Sequence, residues 1–158
     1  MHHGSVHKKG EISLQEIIEE VRRNPSFGRA GCLGIFVGVV RGEAPMGGEV
    51  KGLEIEAYEE RANEELERIC LELMEREGIV DVRIHHLLGE FGVGDDLVYV
   101  VVAARHRREL FETLAEAVDR YKKEATIFKK EILSSGEGYW VSETRNEDKS
   151  MKLNPSQR

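Results

Sequence analysis

The sequence predicts a mixed α+β fold in which pairs of strands alternate with helices. Three observations carry that prediction. Apolar residues recur at helical spacing in three separate segments. Between and after the helices the β-rich runs come in twos, which suits a mixed sheet better than a doubly wound parallel one. Finally, a chain of 158 residues with 40% hydrophobic content can fill one core of ordinary size.

The elements follow in order. Ser13-Leu14-Gln15-Glu16 forms a capping box, and Leu14, Ile17, Ile18 and Val21 continue at helical spacing until Asn24-Pro25 stops the pattern. Residues 31–40 are apolar, β-rich and interrupted by glycines, the pattern of a buried strand with close backbone approaches; it ends in Arg41. The loop 42–48 precedes a half-exposed strand in which Leu53, Ile55 and Ala57 alternate with Glu54, Glu56 and Tyr58. Ala62, Leu66, Ile69, Cys70, Leu73 and Met74 mark the inner face of a long helix that Gly78 ends. Val80, Val82, Ile84 and His86 share one face of the next strand. Turn residues Gly89, Gly92 and Gly94-Asp95 lead into the strongest strand, 97–104. Leu110, Phe111, Leu114, Val118 and Tyr121 stripe a third helix, and strands at 126–133 and 139–143 close a hairpin around residues 134–138. Residues 1–12 are expected to be disordered or a cloning remnant, 13–145 a single domain, and 146–158 a flexible polar tail.

Charge narrows the function. The net charge of −7 argues against a general nucleic-acid binder, yet between Arg105 and Lys130 eight Lys/Arg face five Asp/Glu. A cationic site on an acidic protein suits a small anionic ligand. Charged residues at 34% exceed the usual share of about 25%, which is compatible with a heat-adapted source. Cys32 and Cys70 both lie in apolar segments and read as free thiols, favouring the cytoplasm, and no apolar run has the length of a membrane span. The strand 97–104 suits a chain that buries sheet edge or face against a copy of itself, so a homodimer is expected.

Three clusters are candidates for chemistry. Arg105-His106-Arg107-Arg108 stands where a strand hands over to a helix; it reads as an anion pocket or as a solvated basic turn. Lys122-Lys123 ends that helix and Lys129-Lys130-Glu131 follows on the next strand, where alternation sends Lys129 and Lys130 to opposite faces. Lysines among other cations can act as nucleophiles or proton carriers, whereas lysines at a helix C-terminus are also ordinary dipole partners. Arg41 is a candidate phosphate clamp or a surface cap on its strand. His85 and His86 point to opposite faces and lack further ligands at metal-motif spacing, so they read as structural, and no metal or cofactor is expected.

The order of these signatures resembles the large subunit of the molybdopterin synthase family. The likeness rests on Phe36-Val37-Gly38-Val39-Val40-Arg41, the acidic strand 53–58, His85-His86-Leu87-Leu88-Gly89 with Gly94-Asp95, His106-Arg107 with Phe111, Asp119 and Lys122, Phe128-Lys129-Lys130-Glu131, and Gly138-Tyr139-Trp140-Val141, over roughly residues 14–145. The family has Pro and Trp where this chain has Thr126 and Phe128, implying a looser start to that strand and a smaller aromatic wall. The resemblance implies an α/β-hammerhead fold and a sulfurtransferase. Its substrate would be cyclic pyranopterin monophosphate, and its sulfur donor the C-terminal Gly-Gly thiocarboxylate of a small ubiquitin-like subunit. A central homodimer would carry one small subunit at each end, a heterotetramer. It further implies catalysis by Lys122 and Lys129, and substrate binding by Val39, Val40, Arg41, His106, Arg107, Lys122, Lys129, Lys130 and Glu131. A non-catalytic relative that binds an anion or the partner is the alternative.

Overall fold

The computed structural model describes residues 1–45 and 47–141. Its elements are β1 (Gly4–Lys8), α1 (Leu14–Arg22), β2 (Cys32–Val39), β3 (Val50–Ala57), α2 (Glu59–Met74), β4 (Ile79–Gly92), β5 (Asp96–Ala104), α3 (Arg107–Glu124), β6 (Ile127–Leu133) and β7 (Gly138–Val141), with a 3-10 turn at Phe27–Arg29. From α1 onward this is the expected mixed α+β order. The expected extension of the last strand to residue 143, the domain end at 145 and the tail 146–158 lie outside the described residues.

The strands form a sheet in the order β2-β5-β4-β3-β6-β7, with β1 added in parallel to β4. Strand β5 is buried from Leu97 to Ala104 because it has a neighbour on each edge and helices against it. The idea that this apolar strand marks a self-association edge is therefore corrected: its apolarity serves the interior. The sheet's path instead ends at β2, where Ile35 and Val39 are 41% and 52% exposed.

Helices assemble as their sequences dictate. The Ser13 side chain accepts from the Glu16 amide at 3.2 Å, capping α1, which buries Ile17 and Val21. Helix α2 buries Ala62, Leu66, Ile69, Cys70 and Leu73, and Gly78 at φ +85° releases the chain into β4. An ion-pair network joins α2 to α3: Arg68 and Arg120 each reach both Glu72 and Glu124, the shortest contact being Arg120–Glu124 at 2.6 Å. Among the described residues no helix is long and apolar enough to cross a membrane.

Strand β4 organises everything else. Its first half pairs with β5, from Ile79↔Ala104 to His86↔Val98, and its last residues pair with β3, from Gly89↔Ile55 to Gly92↔Gly52. Gly89, at φ +128°, stands at the changeover, a conformation L side chains rarely adopt. On the edge opposite β5, and just before β3, β1 pairs with β4 from Gly4↔Ile84 to Lys8↔Leu88. The expectation that residues 1–12 carry no structure is thus overturned for Gly4–Lys8. The strand is fixed by side chains that reach its backbone: Glu67 accepts from the Gly4 amide at 2.9 Å and Asn63 from the Val6 amide at 2.7 Å. Beyond it, Ile12 is buried too.

The two faces of β4 differ. Val82, Ile84 and His86 face the side of α3, where the His86 ring meets Tyr121. Asp81, Arg83 and His85 face the other side, where Asn24, just past α1, donates to Asp81 at 3.0 Å. There Arg83 grips Asp81 with bonds of 2.9 and 3.0 Å, and His3 reaches the same carboxylate at 3.1 Å. Further along, His7 Nε2 lies 2.9 Å from His85 Nδ1, with the Ser5 hydroxyl 2.8 Å from the former. One ring must donate and the other accept, so at least one is neutral. Burial, reinforced by His7 and then Arg83, pushes the His85 pKa down to about 3; burial also lowers that of His7, against the pull of Glu11.

These shifts fix a pH dependence. A histidine kept neutral by the fold binds fewer protons than it does unfolded, so its contribution is fully present above the unfolded pKa near 6.5 and is lost progressively as pH falls from 6.5 toward 3. The slope for His85 is at most about 1.4 kcal/mol per pH unit. Urea unfolding from about pH 7 down to about pH 5 should show this decline, and His85→Leu should flatten it. An equally steep decline in the variant would assign the loss to other groups.

Candidate functional site

A cavity of about 460 Å³ opens on the α3 side of the sheet, where the β4–β5 portion meets the β3–β6–β7 portion. Strand β2 contributes Phe36, Gly38 and Val39, and the loop after it Arg41 and Glu43. The floor holds Val98 of β5 and His86 of β4. The last turns of α3 supply Tyr121 and Lys122, and β6 supplies Lys129 and Glu131. Gly38 is required by its surroundings: a Cβ there would lie 2.6 Å from a Val98 methyl.

Alternation along β6 works as expected. Lys129 and Glu131 share the cavity face, while Lys130 is turned outward with its ammonium 5.7 Å from the centre of the Trp140 ring. The assignment of Lys130 to substrate binding is therefore corrected. Glu131 is only 5% exposed and accepts from the Tyr139 hydroxyl at 3.0 Å; burial, then the Glu131 carboxylate, raise the Tyr139 pKa. A buried carboxylate beside two lysines can orient an ammonium and hold its proton.

Of the other expected site residues, Val39 and Arg41 reach the cavity but Val40 does not. Its side chain is 2% exposed, its amide donates to Asp95 and its carbonyl accepts from Gly94, at 3.0 and 2.9 Å. His106 is the N-cap residue of α3 and Arg107 its first residue, both exposed. Lys122 lies sixteen positions beyond His106, about 24 Å along the helix axis. Helix α3 therefore keeps His106 and Arg107 of this chain apart from its own Lys122.

The two departures from the family pattern also find their place. Thr126 ties the start of β6 to α2 by donating its amide and hydroxyl to Glu65 at 3.0 and 2.6 Å. A proline has no amide hydrogen to give, so the start of this strand is fastened, not loosened. Phe128 packs edge-on against Tyr58, ring centres 5.5 Å apart, on the face away from the cavity, and removes nothing from its wall. His86 and Tyr121, read from the sequence as core residues, are cavity residues; their apolar-face spacing gave no sign of it. Among the described residues no three His, Cys, Asp or Glu side chains converge as a metal site would require.

Comparison with known proteins gives the arrangement a context. The model of the MoaE protein family matches residues 7–124. The molybdopterin synthase catalytic subunit of Pyrococcus abyssi is 40% identical over 141 residues, covering 89% of this chain and 91% of that one. The crystal structure of molybdopterin synthase from Staphylococcus aureus superposes with a TM-score of 0.77 at 27% identity, covering 89% of this chain and 98% of that one. A complex of subunits 1 and 2 of the molybdopterin-converting factor from Helicobacter pylori shares the fold, with a TM-score of 0.68 at 20% identity over 87% of this chain and 89% of that one. On the strength of the family match and of a relative aligned over nearly its full length, the chain belongs to the MoaE family, that of the molybdopterin synthase catalytic subunits.

Proposed function

We propose that the chain transfers two sulfurs from the C-terminal thiocarboxylate of a small ubiquitin-like subunit to cyclic pyranopterin monophosphate, forming the molybdopterin dithiolene. The observation that carries this reading is the gathering of Arg41, Lys122 and Lys129 around one cavity in a protein of net charge −7. Both reactants are anions, and a concave cationic site raises their local concentration. Arg41 offers a planar, permanently charged donor for the phosphate. Lys122 and Lys129 would meet the thiocarboxylate and handle proton or acyl transfer as sulfur moves, with Glu131 orienting them. The Helicobacter pylori relative, solved as a complex of two subunits, supports a small-subunit partner. Two unpaired thiols suit a cytoplasmic setting. Because Thr126 and Phe128 leave the cavity intact, nothing in the structure favours the non-catalytic alternative.

His106 and Arg107 would serve this cavity from a second copy of the chain. In an antiparallel pairing of two β2 edges about a two-fold axis, the Cys32 end of one strand lies beside the Val39 end of the other. Cys32 pairs with Ala104, which immediately precedes Arg105-His106-Arg107, whereas Val39 borders the cavity. The pairing would bring one copy's His106 and Arg107 toward the other's Arg41.

Three outcomes are expected. In single-turnover assays with thiocarboxylated partner, Lys129→Ala should lower product formation by roughly 10²–10⁴-fold, while Lys130→Ala stays close to the unsubstituted protein; equal behaviour would remove Lys129 from the mechanism. Arg41→Ala and Arg107→Ala should each weaken precursor binding by about 1.5–3 kcal/mol, and unchanged affinity in both would place the phosphate elsewhere. Mixing Lys129→Ala with Arg107→Ala protein should restore turnover through dimers that carry one intact composite site; activity no higher than the average of the two would put both residues in one chain's site.

A further inference from the structure

Sequence reasoning left His86 among the structural histidines, and the sulfur-transfer reading does not use it. Three observations give it a task. It is 5% exposed, yet lines the cavity with Lys122 and Lys129. Its Nδ1 lies 2.9 Å from the Leu87 carbonyl, and since a carbonyl only accepts, Nδ1 carries the hydrogen and the ring is pinned to its own strand. Its ring stands edge-on to that of Tyr121, centres 5.7 Å apart at 63°. Tyr121 is itself 7% exposed, directly precedes Lys122, and through its carbonyl holds the Ala125 amide that ends α3.

We propose that His86 is a positioning residue for Lys122: pinned to β4, it braces Tyr121 and so sets the last turn of α3, fixing where Lys122 enters the cavity relative to Lys129. Strand β6 leaves α3 within three residues, so the two lysines sit on elements that can shift against each other unless that turn is held. The sheet supplies the hold, because His86 lies on a strand paired at that point with both Val6 and Val98. The brace acts through the ring's contact with Tyr121, and close packing at 5% exposure holds the ring together with the Leu87 bond, so a ring of the same shape keeps most of the role. Leucine-like packing would not reproduce the edge-on geometry, whereas phenylalanine would.

The inference rests on the proposed sulfur transfer for its kinetic test, and a second readout is independent of it. His86→Ala should lower single-turnover product formation by on the order of tenfold to a hundredfold, the loss appearing in the rate and not in the precursor concentration for half-saturation. His86→Phe should recover most of the rate with the pH profile of the unsubstituted protein. Tyr121→Ala should be as slow as His86→Ala, and combining the two should add little further loss. Separately, after reductive ¹³C-methylation of the lysines, the Lys122 resonance should move in His86→Ala and return in His86→Phe while that of Lys123 stays, with no substrate present. An unchanged Lys122 resonance in folded His86→Ala protein overturns the proposal, as do additive losses in the double variant. An inactive His86→Phe protein lacking one limb of the pH profile overturns it too, since the ring would then be a proton carrier. If the unsubstituted protein shows no sulfur transfer while the Lys122 resonance responds as expected, the brace stands and the sulfur-transfer reading falls.

Discussion

The architecture depends on one strand serving three partners. Strand β4 pairs along one edge with β5, over 79–86, and along the other first with β1, over 84–88, and then with β3, over 89–92. Where the pairing passes from β1 to β3 stands Gly89, whose φ of +128° is a conformation that favours glycine. The cavity lies where the two portions of the sheet meet, and the last turns of α3 line its side. A residue with a side chain at position 89 would resist the changeover and disturb the floor of the cavity together with the docking of β3.

The same strand separates two kinds of polar chemistry by simple alternation. One face carries a shared set of interactions, in which Asp81 is held by Arg83, His3 and Asn24 and His7 meets His85, with Arg83 Nη1 and His85 Nε2 left unpaired among the described residues. Removing any one partner would leave a buried charge or donor uncompensated, which costs far more than an intact set contributes. The other face carries His86 into a cavity whose cations are held for a ligand. Adjacent residues in the chain therefore belong to different machinery: His85 to the anchoring of the N-terminus, His86 to the site.

Much of this was legible in the residues. Period-2 and period-3.6 apolar patterns located α1, α2, α3 and β5, and alternation alone separated Lys129 from Lys130. Other features lie beyond local pattern. Strand β1 carries a single large apolar residue, Val6, and is made a strand by a partner 80 residues away and by Glu67 and Asn63 of a helix. The presumed convergence of His106 and Arg107 with Lys122 neglected the length of the helix between them. The resemblance implies Val40 as a site residue, but its backbone is committed to the Gly94-Asp95 turn. His86 on an apolar face looks like any core histidine, and only the cavity formed with β2, α3 and β6 shows that this face is open.

The parallel pairing of β1 with β4 also sets a schedule for biosynthesis. A parallel pair cannot close as a hairpin, and Ser5 and His85 are 80 residues apart, so β1 leaves the ribosome well before its partner is made. At typical elongation rates of about 5–20 residues per second, that delay is roughly 4–16 s, long beside the time in which α1 can form. Strand β1 is thus translated before its partner and docked late. Its docking also requires the strand that carries His86, so an ordered N-terminus signals that the floor of the cavity has been made.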